Sequence, residues 1–426
     1  MTGVDTHGYA LSTSAPAAEA YTRGVLDILR LRAGALEHVA ESIVHDPTFA
    51  LGHAALALLG HEMCANVDVA ARLRQAELHA PRSTERERSH VHAIAAHVRD
   101  DSAPMIEHLA SYPRDALLLS VAVPTIAFAG VTEVPEAAWA IVERCAPAYG
   151  EDWWFQGLLA FIRQEQHRYD EAMELSCRSL TVEPGAGHSA HARAHAHYET
   201  GDHEAGLAWM DGWILGDGAT IDSRSHFSWH AALHELSLGD LDAVRRRYES
   251  QLQPGNALGC RALVDSGSLL FRWALTPGAA AVPDIAEVAA VTGRGTLERP
   301  ATPFLALHTA ITLLALGEVD ALHSVRTWAS THGHPTFREV VAPLADALLL
   351  MATDRPGPAA DSLAALAPSV RRLGGSDAQR EIVEEARIAA LLRAGRWDDA
   401  RVVLDERLDR RRSPRDEAWR TSTAGR

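Results

Sequence analysis

Along the chain, apolar positions recur at the three- and four-residue spacing of helix faces, and few stretches alternate with period two. Glycine, proline or aspartate separates one such stretch from the next. The pattern predicts an all-α chain of short amphipathic helices. It also repeats. "YETGDHEA", "LSLGDLDA", "LALGEVDA" and "LRAGRWDDA" place Gly201, Gly239, Gly317 and Gly395 at one position, and Gly278 and Gly357 fall in the gaps. Successive spacings are 38, 39, 39, 40 and 38 residues. In each repeat a helix ends, the glycine turns the chain and an acidic residue opens the next helix, where its charge suits the dipole.

Upstream, "QHRYDEA" carries His167 in the glycine slot, with Ala160, Tyr169, Ala172 and Pro184 at the offsets of a tetratricopeptide repeat. A single helical hairpin buries only part of its apolar surface, so hairpins have to stack. The expectation is an α-solenoid, a superhelix of about ten or eleven tetratricopeptide-like hairpins. It would form a single domain over residues 15–411, after an N-terminal arm at 1–14 and before a polar, disordered tail at 412–426. The basic run of Arg410, Arg411, Arg412 and Arg415 is expected to be frayed and solvated there.

The register bears directly on chemistry. "GHSAHARAHAHYETGD" holds His188, His191, His195 and His197, and the next repeat holds His226, His230 and His234. His230 and His308 each lie nine residues before a repeat glycine, and His191 lies ten before one. Asp265 occupies the position equivalent to His188 and His226. Spacings of three and four put His188, His191 and His195 on one helix face, and His226, His230 and His234 on another. His197 points elsewhere. Two histidine stripes facing one groove, with Asp265 and His308 from later repeats, leave three readings open. They are polar inner-face residues, a proton-transfer pocket, or a metal site. In the last, His191, His195, His226 and His230 would hold zinc or another divalent ion.

Bulk properties prune the alternatives. With 40 basic and 56 acidic residues the net charge is −16, which disfavours nucleic acid and anionic membrane as partners. The chain contains no lysine. A P-loop nucleotide site and a pyridoxal phosphate Schiff base both need that amine, so neither cofactor is expected. GxSxG, HExxH and helix-opening GxGxxG motifs are also missing. Cys64, Cys145, Cys177 and Cys260 are dispersed, as in a reducing cytoplasm. The most apolar run, residues 116–131, is short and contains Pro124, so no membrane span is expected.

Several longer stretches resemble the tetratricopeptide repeat protein 38 family. They are "WWFQGLLAFIRQEQHRYDEAMELSCRSLTVEP", "HARAHAHYETGDHEAGLAWM", "HFSWHAALHELSLGDLDAV", "RERSHVHAI", "LVDSGSLLFR" and "LGGSDAQREI". The resemblance covers nearly the whole chain. It implicates His53, His90, His191, His195, His226, Trp229, His230, Asp265, Arg272, Ser376, Gln379 and Arg380. The chain departs from the pattern at "SVAVPTIAFAG", where the family carries a His-Asp pair.

Together these readings lead to an expected enzyme for a small, anionic molecule. His191, His195, His226, His230 and Asp265 would be its reacting groups. Arg272, Arg380, His308, Ser376, Gln379, His53 and His90 would bind substrate, and Trp229, Trp209 or Trp213 would pack on its apolar part. The "GGSDAQ" stretch has a plainer reading, in which Ser376 and Gln379 form a helix capping box. Elimination, isomerisation, cyclisation and hydrolysis all suit such a pocket, and a homodimer is allowed. The alternative is a scaffold that binds a peptide or protein without chemistry.

Overall fold

The computed structural model describes residues 3–62, 65–99, 101–122, 135–222 and 224–423. Residues 123–130 of the "SVAVPTIAFAG" stretch, and Cys64, therefore lie outside the described residues. Nearly all of the described chain is helical. The only sheet among the described residues is a two-stranded antiparallel hairpin, pairing Gly3–Val4 with Ala10–Leu11 in the expected N-terminal arm. No helix in the described residues is long and apolar enough to cross a membrane. The chain divides into two compact units, one formed by residues up to Arg193 with Asp217–Ser223, the other by Ala194–Gly216 with Arg224–Arg426. The boundary falls inside the Gly187–Glu199 helix, a place that the repeat spacing does not mark.

In the first unit, antiparallel neighbours such as Trp153–Glu165 and Tyr169–Val182 pack along their length. Its core gathers Leu11, Phe49, Leu58, Ile94, Leu118, Trp154 and Ile162. In the second unit His203–Leu215 packs on Arg224–Leu238, and Val319–Ser330 on Ala342–Ala352. One apolar cluster there forms around Trp229, Trp273 and Leu269, and another around Leu344, Ile382 and Leu404.

The turn chemistry follows the glycines closely. Gly201, Gly239, Gly278, Gly317 and Gly395 all have φ between +70° and +79°, in the left-handed region, and His167, in the slot that lacks a glycine, is left-handed too at φ +59°. Thr302 caps the Pro303–Leu316 helix at one end, and Gly317 closes it by donating its N–H to the carbonyls of Leu313 and Leu314. Asp240 follows Gly239 and accepts from the Ala243 N–H at 2.9 Å, so the acidic residue does open the next helix. Gly357 departs from the pattern. It lies in the first turn of the Pro356–Leu366 helix, and the left-handed residue of that connection is Asp354, φ +55°. Aspartate tolerates this conformation better than most side chains do, so the turn comes three residues before the glycine.

The expected tail needs correction. Residues Pro414–Ser422 form a helix, with Arg415, Asp416 and Trp419 buried. Arg415 donates to both carboxylate oxygens of Glu385, at 2.9 and 3.1 Å, to Thr276 Oγ1 at 2.8 Å and to the Arg272 carbonyl at 3.0 Å. Its planar fork satisfies four acceptors at once, while Trp419 lies against its guanidinium. Charge density near a chain end suggests solvation, but here opposite charges meet and carry their apolar stems inward.

Two predictions follow from this packing. Gly317→Ala should cost about 1–2 kcal/mol of unfolding free energy, because φ is +72° and no atom lies near enough to stabilise the added methyl. Gly357→Ala, in ordinary helical conformation, should be neutral or gain roughly 0.4–1 kcal/mol. Equal effects in urea titrations would contradict this assignment of the turn. Arg415→Ala should cost about 3–5 kcal/mol, since it removes one of the cations that meet the buried Glu385 carboxylate. A loss near zero would restore the solvated-tail reading.

Candidate functional site

The Arg224–Leu238 helix places His226, His230 and His234 along one stripe, each at most 1% exposed. His195 comes from the Gly187–Glu199 helix and is fully buried. Its ring meets that of His230 edge-on at a centroid distance of 4.5 Å, and His230 meets His226 in the same manner at 4.8 Å. The His226 Nδ1–H donates to Asp265 Oδ1 at 2.8 Å, and Ser225 Oγ donates to Asp265 Oδ2 at 3.2 Å. Trp229 lies flat against His226 at 5.5 Å and edge-on to His230 at 4.9 Å. The second unit therefore assembles a buried line: Asp265, His226, His230, His195.

Backbone geometry contributes to that line. Asp265 sits in a π-helical segment, Ala262–Gly267, which runs directly into the Ser268–Leu275 helix. Such wide turns redirect side chains and recur at functional sites. Periodicity cannot reveal one, because "RALVDSGSLLFR" reads as continuous helix.

Burial governs the electrostatics. The His195 pKa falls to about 3, chiefly from desolvation, with His226 and Arg380 adding repulsion. His230 is pushed well below its ordinary value by the same burial and by its three histidine neighbours. Both rings are therefore neutral at neutral pH. His308, on the Pro303–Leu316 helix, falls to about 3 through burial and the Arg272 charge, against the opposing pull of Asp265. Its ring meets Phe304 edge-on, and neither ring nitrogen has a hydrogen-bond partner among the described residues.

His234, at the end of the stripe, pairs with a different ring. Its Nδ1 lies 3.1 Å from His203 Nδ1. His203 donates Nε2–H to the Arg412 carbonyl at 3.0 Å, so its Nδ1 must accept and that of His234 must donate. His197, as the helical spacing implies, turns away from the cluster to Asp202 at 3.3 Å and the face of Trp209. Trp209 stacks in turn on Trp213, which packs on Phe227.

The arginines are held by the protein itself. Arg272 is fully buried and donates to Glu385 at 2.9 Å and to the carbonyls of Ala378 and Gln379 at 2.6 and 3.2 Å. Ser376 and Gln379 form the capping box, with the Ser376 N–H on Gln379 Oε1 at 2.9 Å and the Gln379 N–H on Ser376 Oγ at 3.3 Å. Arg380 donates to the carbonyls of Gly374 and Gly375 and to Asp377.

Three of the expected residues belong to the first unit. His191 is buried there and stacks on Phe161 at 5.4 Å. His53 Nε2 donates to the Pro47 carbonyl at 2.9 Å, and its Nδ1 accepts from Arg72 at 3.3 Å. His90 Nδ1 donates to Asp115 Oδ2 at 2.8 Å, an oxygen shared with His108 at 3.1 Å and Arg86 at 2.9 Å. Asp115 is held well below the usual carboxylate range because these three donors outweigh its desolvation. Asp115, Glu381 and Glu385 are among the inward-facing acids that the motifs do not reveal. Each lies in an ordinary-looking stretch, and only tertiary contacts reveal its burial.

The lowered histidine values predict acid sensitivity. His195 and His308 titrate near 3 in the folded protein, His188 and His203 near 4, and each near 6.5 when unfolded. Below about pH 6.5 the unfolded chain binds protons that the folded one refuses, so stability falls as pH drops towards 4. His308→Leu should reduce proton uptake on unfolding near pH 5 by about one. Urea titrations from pH 7 to 4.5 that show no slope, or an unchanged slope in the variant, would contradict this. No protein-family model matches the chain.

Proposed function

We propose that this chain is an enzyme for a small, anionic molecule, in which His226, His230 and His195 transfer protons and Asp265 orients the first of them. The hydrogen bond between Asp265 and His226 carries the reading. By accepting the Nδ1–H, the carboxylate makes Nε2 the basic atom of His226 and compensates the charge when that atom gains a proton. His230 and His195 follow edge to edge as neutral imidazoles, each able to accept or donate. The two ring nitrogens of His308 offer further polar contacts from the Pro303–Leu316 helix. The Arg380 charge, which His195 senses, favours an anionic substrate. Elimination, isomerisation, cyclisation and hydrolysis all remain within this chemistry.

The scaffold in this reading is a tetratricopeptide-like array of hairpins, as in the tetratricopeptide repeat protein 38 family, working in the cytoplasm. The left-handed residues His167, Gly201, Gly239, Gly278, Gly317, Asp354 and Gly395, at near-constant spacing, support the repeat. A binding scaffold without chemistry would explain the helices but makes no use of a carboxylate at the end of a row of three imidazoles.

The test is a comparison of metabolite consumption. The purified chain, His230→Gln and Asp265→Asn are incubated with the same fractionated metabolite extract and followed by mass spectrometry. At least one anionic compound should disappear with the unaltered chain, and roughly 10²–10⁴-fold more slowly with either variant. Helical circular dichroism should stay unchanged in both. Consumption at equal rates by all three proteins, or none by any, would overturn the reading in favour of the scaffold.

A further inference from the structure

His61, Glu62 and His97 form another cluster in the first unit, and it takes no part in the chemistry above. His61 and Glu62 end the Ala50–Glu62 helix, and His97 ends the Glu85–His97 helix packed beside it. The Glu62 side chain is 2% exposed. Its Oε1 accepts from His97 Nε2 at 2.7 Å and lies 3.6 Å from His61 Nε2. Its Oε2 is buried with no hydrogen-bond partner among the described residues. One donor from each of the three residues falls within 4.8 Å of the others.

We propose that these three residues bind a divalent transition-metal ion, zinc being the best match. Two imidazoles and a carboxylate are a common three-ligand set for zinc with a fourth position left open. The His61 side chain is 32% exposed, so the cluster has an edge towards solvent. Two helix C-termini converge on it, and their carbonyl dipoles favour a cation. Glu62 Oε2 gives the carboxylate a second donor for the ion, and satisfying it removes the cost of a buried, unpaired oxygen.

Ser102 strengthens the case. His97 Nδ1 lies 2.9 Å from Ser102 Oγ. For Nε2 to bind a metal its proton must leave, and the neutral ring then carries its proton on Nδ1. The serine oxygen stands where that Nδ1–H would point, the outer hydrogen bond that fixes the tautomer of metal-bound histidines. Tetrahedral ligation at about 2.0–2.2 Å spaces donors roughly 3.3–3.6 Å apart, so the Glu62–His97 pair needs only a small opening. The cluster of His90, His108 and Asp115 lacks this capacity, because the Arg86 guanidinium already occupies the carboxylate oxygen that a cation would take.

Zinc titration of the chelator-stripped full-length chain tests the site by calorimetry. Cobalt(II) absorbance reports ligand geometry in parallel. The unaltered chain should bind about one zinc ion more than Glu62→Gln. Ser102→Ala replaces none of the three ligands and should keep the fold, and by removing the hydrogen-bond partner of His97 Nδ1 it should weaken that ion's binding about 10–100-fold. His61→Ala, at the exposed edge, should abolish the tetrahedral cobalt spectrum. Identical zinc stoichiometry and affinity in the unaltered chain and Ser102→Ala, with a cobalt spectrum unaffected by His61→Ala, would overturn the proposal. Metabolite consumption does not enter the measurement, so its result is independent of the histidine line in the second unit.

Discussion

A carboxylate withdrawn from water must be met by cations, and the second unit is arranged around two of them, Glu381 and Glu385. Arg272, Arg407, Arg411 and Arg415 converge there from separate helices and loops. Their combined charge holds Glu385 near pKa 2 and Glu381 well below the usual range, against the desolvation that raises both. Removing one arginine would leave the two carboxylates less fully compensated in a medium where that is severe. The network reaches the histidine line by two routes. Arg272 lies seven residues after Asp265, roughly 10 Å along the same helical run, so fixing one end fixes the other. The same guanidinium grips the carbonyls of Ala378 and Gln379, and so positions the turn that carries Arg380.

The same constraint sorts the imidazoles. Where a carboxylate is in reach, as for His226 on Asp265 or His90 on Asp115, one ring nitrogen is fixed as a donor. Where desolvation outweighs every other influence, as for His195, His230 and His308, the rings are held neutral. A line of imidazoles with a carboxylate at one end thus has a direction built into it, because only one end compensates a positive charge.

Much of this was legible in one dimension because it is local. Helix spacing put His226 and His230 on one face, and the positive-φ glycines announced the turns. Asp265, equivalent to His226 in its distance from a following glycine, proved to be its hydrogen-bond partner. What remained hidden depends on distant partners. The Arg272–Glu385 contact spans 113 residues, and nothing periodic marks it. The π-turn under Asp265 has no composition of its own. The connection at Asp354 shows that a regular glycine spacing can be matched by chance, since the chain turns on an aspartate there and leaves Gly357 inside a helix. Glu62 escaped notice because one glutamate at a helix end looks like any other until its environment is known.

The C-terminal helix has a consequence for how the second unit is made. Tyr198 waits for Arg411, 213 residues later, and the Arg272 carbonyl waits for Arg415, 143 residues later. During synthesis at roughly 5–20 residues per second, Arg272 therefore emerges many seconds before the groups that complete its surroundings. In that interval Glu385 and Arg272 must stay hydrated, because burying them early would trap charge without its full set of partners. The native surroundings of Arg272 are thus complete only once Arg415 has been made, and the charge network of this unit depends on pairing between residues far apart in the chain.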